Sequence, residues 1–227
     1  NNRTSWEVVA DSVCETERSG SDFILRVGSG SLTVKNAGTD FPIVVGADIK
    51  QGTYIDNAKD NLAFNGTDIP NKIYNSGTGV KIYAEGGNDS IYNSGNRATI
   101  GGGADNDYIS NSGDSVSIDG GAGEDSISNH GSYNSTLNTY YGVYVSIYGG
   151  AGNDSIYNSG ALAFLDGGTG NDSISNNDKN VTIDGGAGDD VISLGSNSGS
   201  NVIKYIEGGG NDTVFGWNAT NTIQVVA

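Results

Sequence analysis

Gly120-Gly121-Ala122-Gly123-Glu124-Asp125 is one of seven related stretches that decide how this chain folds. The other six are residues 84–89, 102–107, 149–154, 167–172, 185–190 and 207–212. Successive closing aspartates lie 18, 18, 29, 18, 18 and 22 residues apart, at Asp89, Asp107, Asp125, Asp154, Asp172, Asp190 and Asp212. Self-similarity at a fixed short period is typical of a repeat array in which each repeat packs only on its neighbours.

Each 18-residue unit contains two short strands with alternating apolar and polar residues. One strand follows the aspartate, as in Asp125-Ser126-Ile127, and the other precedes the next glycine pair, as in Val116-Ser117-Ile118. Turns such as Asn111-Ser112-Gly113 join them. A single coil cannot bury its apolar row, but stacked coils bury it continuously. We therefore predict an all-β parallel β-roll, or β-solenoid, of about nine two-stranded coils, with a ladder of asparagine amides along the Asn-Ser-Gly edge.

The phase of the repeat predicts three parts of the chain. Residues 1–50 are expected to form an N-terminal β cap and an irregular first coil, in which Leu32–Val34 and Ile43–Val45 form strands. Residues 51–214 are predicted to form the solenoid, with an insertion near 130–145 that protrudes as a loop or hairpin, and 215–227 a C-terminal cap strand. The chain begins at Asn1 and contains no Met, so we expect a mature or excised form.

The charge of the chain excludes some partners and predicts others. Eleven Lys and Arg residues stand against 27 Asp and Glu, a net charge of -16. Nucleic acid and anionic membranes both attract basic faces, so neither is an expected partner. No apolar run reaches membrane-spanning length, and Cys14 is the single cysteine, so no internal disulfide forms. So many carboxylates on one body repel each other unless cations lie among them, which predicts bound metal.

The nonapeptide Gly-Gly-x-Gly-x-Asp-x-Ile-x resembles the RTX (hemolysin-type) repeats of secreted bacterial proteins, over residues 84–212. The resemblance implies a parallel β-roll that binds Ca²⁺ between stacked turns, through the motif aspartate and the carbonyls of the glycine turn. Carried over by position, the metal ligands are Asp89, Asp107, Asp125, Asp154, Asp172, Asp190 and Asp212, with Gly102, Gly120, Gly149, Gly167 and Gly185. Carboxylate and carbonyl oxygens are the ligands that Ca²⁺ prefers.

The sequence departs from the RTX pattern on one edge of the coil. RTX rolls usually carry the aspartate motif on both edges, whereas here the opposite edge is Asn-Ser-Gly. We therefore expect a single row of ions, in at most six gaps between seven turns. The end gaps lack the first glycines of the motif, which Ala84-Glu85 and Ile206-Glu207 replace. The gap between Asp125 and Asp154 requires that the inserted residues loop out on the far edge.

These features predict a calcium-binding structural module of a secreted or cell-surface bacterial protein, which self-assembles end to end into a fibre or stacks on neighbouring domains. We predict no enzyme activity, because the only histidine, His130, lies in a turn and carboxylates recur at every coil. Two alternatives remain open. One is an adhesin or carbohydrate-binding module that uses the tyrosine-rich segment from Tyr133 to Tyr148, and the other is part of a secreted polysaccharide-modifying enzyme. Ice binding is disfavoured, because Thr169 is the only threonine at its motif position.

Overall fold

The computed structural model describes residues 54–134 and 139–226 as two continuous runs, together with five strand segments between residues 6 and 44. All regular elements among these residues are strands. They are β1 Trp6–Glu7, β2 Cys14–Ser19, β3 Asp22–Val27, β4 Gly30–Val34, β5 Ile43–Val44, β6 Tyr54–Asn57, β7 Ala63–Thr67, β8 Lys72–Asn75, β9 Lys81–Glu85, β10 Ser90–Asn93, β11 Thr99–Ala104, β12 Tyr108–Asn111, β13 Ser117–Ala122, β14 Ser126–Asn129, β15 Ser132–Asn134, β16 Thr139–Tyr141, β17 Ser146–Ala151, β18 Ser155–Asn158, β19 Phe164–Thr169, β20 Ser173–Asn176, β21 Thr182–Ala187, β22 Val191–Leu194, β23 Val202–Ile206, β24 Thr213–Phe215 and β25 Thr222–Val226.

Two nine-stranded parallel sheets form the body of the molecule. The first sheet has the order β24-β22-β20-β18-β14-β12-β10-β8-β6, and the second has the order β25-β23-β21-β19-β17-β13-β11-β9-β7. Each strand pairs with its counterpart one coil away, so that Ile91 lies beside Ile109 in the first sheet. The protein is therefore an all-β parallel solenoid of about nine turns, as the 18-residue period predicted.

The core is a double row of apolar side chains between the two sheets. Ile109, Ile118 and Ile127 are fully buried, and Val116 is 2% exposed. The three isoleucines lie at inward positions of strands that alternate buried and accessible residues, and Val116 directly precedes β13. The row is continuous because parallel register places like residues above one another.

The predicted asparagine ladder is present along one edge, here called the asparagine edge. Asn93 Nδ2 donates to Asn111 Oδ1 at 2.7 Å, and Asn111 Nδ2 donates to Asn129 Oδ1 at 2.8 Å. Each amide also bonds the backbone of its own turn, as Asn111 does with the N–H and carbonyl of Gly113. The ladder consists of Asn57, Asn75, Asn93, Asn111, Asn129, Asn158 and Asn176. Both the oxygen and the nitrogen of each ladder amide are therefore engaged within the protein.

The insertion leaves the solenoid at the asparagine edge. Strands β15 and β16 pair antiparallel, so the segment is a hairpin. Asn129 Nδ2 donates to the carbonyl of Gly142, as Asn111 Nδ2 does to Gly113 in the preceding coil. The coil therefore resumes at Gly142, and residues 131–141 are extra to it. The opposite edge is undisturbed, because Asp125 N–H still reaches Asp154 Oδ1 at 2.8 Å.

The two ends differ from the regular coils. Strands β2, β3 and β4 form an antiparallel sheet that includes Leu32–Val34, and β1 pairs parallel with β5. Val45 and the predicted start of the solenoid at residue 51 lie outside the described residues. At the other end, β24 and β25 extend the two sheets as their outermost strands. No helix in the described ranges is long and apolar enough to cross a membrane.

Candidate metal-binding site

The edge opposite the asparagine ladder is built from the glycine turns, and we call it the glycine edge. Gly121 has φ +109° and Gly123 has φ +143°, conformations that side chains disfavour. A Cβ on Gly121 would also collide with the carbonyl of Gly103 in the preceding coil. Glycine is therefore required for the turns to stack, which brings their carbonyl oxygens close to the motif aspartates.

One oxygen of each motif carboxylate joins its coil to the preceding one. Asp107 Oδ1 accepts the backbone N–H of Asp89 at 2.8 Å, and Asp125 Oδ1 accepts that of Asp107 at 2.8 Å. The same bond reaches the Oδ1 atoms of Asp154, Asp172, Asp190 and Asp212 at 2.7 to 3.1 Å. The strand that follows each aspartate places these carboxylates in a single row along the glycine edge.

The other oxygen of these carboxylates is buried without a hydrogen-bond donor from the described part of the chain. This holds for Oδ2 of Asp89, Asp107, Asp125, Asp154, Asp172 and Asp190. A Cβ placed on Gly120 would touch both Asp125 Oδ2 and the carbonyl oxygen of Gly149 in the next coil. The equivalent pair of oxygens faces Gly102, Gly149 and Gly167. A carboxylate oxygen and a carbonyl oxygen, both electron-rich and buried, therefore face one small space. This arrangement requires a cation or a proton.

Burial changes the acidity of the row in the protein without metal. Desolvation raises the pKa of Asp107 and Asp125 to about 7 and that of Asp89 and Asp172 to about 6. It also raises the pKa of the Asp154 and Asp190 carboxyls. The N–H bonds to Oδ1 oppose the shift, and neighbouring carboxylates add to it, as Asp154 does for Asp125. A bound divalent cation would act in the opposite direction and favour the ionised form.

Backbone oxygens are essential to any metal site in this row. No group of three or more His, Cys, Asp and Glu side chains in the described ranges could hold a metal ion by itself. Each coil contributes one motif carboxylate, and the nearest further protein oxygens are turn carbonyls such as those of Gly120, Gly149, Gly167 and Gly185. Hard oxygens of these two kinds suit Ca²⁺.

The structure brings the seven predicted aspartates into one row, although the last one differs. Asp212 accepts the Asp190 N–H at 3.1 Å, but no glycine turn follows it in the described chain. Seven turns therefore leave six gaps, and each gap contains one of the six undonated Oδ2 atoms.

Other acidic residues lie on the outer face of the second sheet. Asp119, one residue before the glycine pair, is exposed, whereas Asp184 at the equivalent position of β21 is only 8% exposed. Asp184 lies between Asp166 and Lys204 in the sheet register and directly precedes Gly185.

Asn71 is a site residue that the sequence analysis did not single out. It is 3% exposed and occupies the aspartate position of the coil before Asp89. Its backbone N–H and its Nδ2 both donate to Asp89 Oδ1, at 2.6 and 2.9 Å. The signal was its location 18 residues before Asp89, in phase with the row.

The comparisons with known proteins agree with this geometry. The family model of the RTX calcium-binding nonapeptide repeat matches four copies, in residues 145–160, 166–200 and 208–223. No curated protein and no solved structure matches the chain. The resemblance seen in the glycine–aspartate motif is thus confirmed for residues 145–223.

Proposed function

Because residues 145–223 carry RTX calcium-binding repeats in a β-solenoid, we propose that this protein is a calcium-stabilised structural module whose successive coils are joined by Ca²⁺ along the glycine edge. The observation that carries the proposal is the row of six buried carboxylate oxygens without a described donor. The oxygen of a turn carbonyl in the next coil faces the same space in four of the gaps.

The residues assigned to this role divide into two groups. The carboxylates of Asp89, Asp107, Asp125, Asp154, Asp172 and Asp190 hold one oxygen against the preceding coil and turn the other toward the gap. The turns that contain Gly102, Gly120, Gly149, Gly167 and Gly185 provide carbonyl oxygens and the space that a side chain would fill. Asp212 holds the last coil through its bond to Asp190.

Bound Ca²⁺ supplies positive charge where these oxygens converge. Six divalent ions carry a charge of about +12 against the net charge of -16. The unfolded chain has no such arrangement of oxygens, so binding free energy adds to the free energy of unfolding. With the affinities of about 10⁻⁴ to 10⁻³ M that are typical of extracellular modules, folding would follow the calcium concentration outside the cell. This behaviour supports a secreted or cell-surface location.

The test is a calcium titration of calcium-stripped protein, followed by far-UV circular dichroism and by isothermal calorimetry, with Mg²⁺ as the competing ion. We expect a cooperative gain in β signal or thermal stability with Ca²⁺ alone. Asp107→Ala should weaken the response, while Asp56→Ala, which removes an exposed carboxylate of the first sheet before the aspartate row, should not. An equal response to both ions, or no heat of binding, contradicts the proposal.

A second candidate function is end-to-end association through the last coil. Ile223 is 53% exposed although it continues the buried row of Ile203, and Val225 is 68% exposed. Phe215, in the outermost strand of the first sheet, and Trp217 are also exposed. An apolar coil end with open strand edges favours stacking on another coil, whether of a second copy or of a neighbouring domain. Sedimentation in Ca²⁺ should show assemblies that Ile223→Lys disperses; monomers alone would count against assembly.

A ligand-binding role for the hairpin is the remaining alternative to a purely structural module. Tyr141 and Tyr144 are 37% and 62% exposed on the rim of the insertion, where aromatic rings can stack on sugars or anchor a protein contact. His130 is exposed in the same turn, with its ring centroid 6.2 Å from that of Tyr157. The buried carboxylates recur at every coil of the row, as ligands do and a unique catalytic pair does not, so we propose a non-catalytic module.

A further inference from the structure

The first gap between described turns of the glycine edge, which we call the first gap, differs from the six that follow. It lies between the coils that contain Asn71 and Asp89, which pair in register through Lys72–Asn75 and Ser90–Asn93. The strand register therefore places the Asn71 side chain where every later coil of the row has an aspartate.

Oxygen atoms surround the side-chain nitrogen of Asn71. Nδ2 donates to the carbonyl of Ile69 at 2.7 Å, to Asp89 Oδ1 at 2.9 Å, to the carbonyl of Thr67 at 3.2 Å and to the carbonyl of Ala84 at 3.3 Å. Two of these four oxygens come from the coil of Asn71 and two from the next coil. Its Oδ1 accepts the hydroxyl of Thr67 at 3.1 Å.

Part of these surroundings recurs along the row, namely a turn carbonyl of the next coil beside the motif side chain. In the coil of Asp125, the backbone positions that correspond to Thr67, Ile69 and Ala84 are Gly121, Gly123 and Gly149. The Gly149 carbonyl and Asp125 Oδ2 face the same space, as the Ala84 carbonyl and Asn71 Nδ2 do. A nitrogen that carries two hydrogens satisfies such oxygens, whereas a carboxylate oxygen cannot donate to them.

We propose that Asn71 closes the first gap with its own amide in place of a metal ion, so that the calcium row begins only after Asp89. The inference rests on the proposed function, which makes the six later gaps calcium sites. It goes further in that a neutral hydrogen-bond donor, the Asn71 amide, connects the coils of Asn71 and Asp89. These first coils then hold together without calcium, and they give the later coils a folded edge on which to stack.

Exchanging the two residue types should therefore change the number of bound ions in opposite directions. Aspartate in place of asparagine should add an ion, and asparagine in place of aspartate should remove one. In Asn71→Asp, a carboxylate oxygen takes the place of the Nδ2 donor and faces the surrounding oxygens. This change creates a seventh gap that can bind calcium. Asp125→Asn keeps Oδ1 as the acceptor for the Asp107 N–H and offers Nδ2 to the carbonyls around it. That variant should close its gap as Asn71 does.

The experiment measures bound calcium per chain by equilibrium dialysis, together with the melting temperature of the calcium-stripped protein. We expect Asn71→Asp to bind one more ion than the wild type and to melt lower without calcium. Asp125→Asn should bind one ion fewer and melt higher without calcium. Asn96→Asp, an exposed change of the same charge that keeps an acceptor for the Asp114 N–H, is the control and should alter neither number.

The outcomes separate this inference from the proposed function. A wild type that binds no calcium refutes the proposed function and the inference together. A wild type that binds calcium, with the same count in Asn71→Asp and a lower calcium-free melting temperature in Asp125→Asn, overturns the inference alone. If Asn71→Asp does not fold, the Asp125→Asn result decides by itself.

Discussion

Asp107 accepts the backbone N–H of Asp89 with Oδ1, at 2.8 Å, and holds Oδ2 in a buried space where no described group donates to it. The two oxygens of one carboxylate therefore act differently. The first joins neighbouring coils through the protein alone, and the second repels the carbonyl oxygens around it until a cation or a proton is present. This division makes the stability of the solenoid depend on calcium and on pH, which leads to the first two predictions below.

The calcium-free protein should be more stable in mild acid than in mild base. Burial raises the pKa of Asp107 and Asp125 from the ordinary 3.8 to about 7, so the folded state keeps protons that the unfolded chain loses near pH 4. This stabilisation is fully present below the unfolded pKa and is lost as pH rises through the folded pKa. Melting temperatures of calcium-stripped protein at about pH 5 and about pH 8 test it.

Calcium should reverse that pH dependence. Protons and Ca²⁺ compete for the same oxygens, so the apparent calcium affinity should rise from about pH 5 to about pH 8. Calorimetric titrations at the two pH values provide the measurement. An affinity that is independent of pH would place the ions away from the buried carboxylates.

Gly121→Ala should destabilise the protein both with and without calcium. The φ of +109° at this residue disfavours a side chain, and the new Cβ would meet the carbonyl of Gly103. A loss of about 1–3 kcal/mol or more is the expected cost of such backbone strain. Gly101→Ala is the matched control, because its Cβ would meet only Tyr83 Cδ1 at 3.5 Å and the Ile82 carbonyl at 3.9 Å. Equal losses in the two variants would contradict this account of the turn.

Asn111→Ala should lower stability by about 1–3 kcal/mol for each polar group left unsatisfied, whether or not calcium is present. The change removes the acceptor of Asn93 Nδ2 and the donor to Asn129 Oδ1. The side chains of Asn93, Asn111 and Asn129 are all buried. Urea unfolding in calcium and in chelator measures the effect. Ser112→Ala, an exposed change in the same turn, should cost little. A loss seen only in calcium would show that this edge also takes part in metal binding.

Deletion of residues 131–141 should leave the fold and the calcium count unchanged. The cut reduces the 29-residue interval between Asp125 and Asp154 to 18 residues and joins His130 to Gly142, the residue whose carbonyl already accepts the Asn129 amide. Circular dichroism and the calcium titration check the prediction. Any sugar or protein ligand that binds wild type but not this variant would be assigned to the hairpin, while loss of the fold would show that the hairpin supports the coil.

The sequence by itself determined the repeat, the two-stranded coil, the asparagine ladder and the candidate metal row. Each follows from a period of 18 residues, because parallel stacking puts like residues above one another and a short strand alternates its faces. Residues such as Asp107 and Asn111 could be placed on opposite edges without coordinates. Their neighbours in space are their neighbours in the repeat, one coil away.

Only the tertiary structure decided what breaks the repeat. It showed that the coil resumes at Gly142, that Asp184 is buried on an outer face, and that the carboxylate oxygens have different partners. It also placed four oxygens around the amide of Asn71, whose role depends on atoms from two coils. A period in the sequence specifies which coils are alike. The donors and acceptors in a gap between two unlike coils depend on how those coils pack, and only the atomic positions show this.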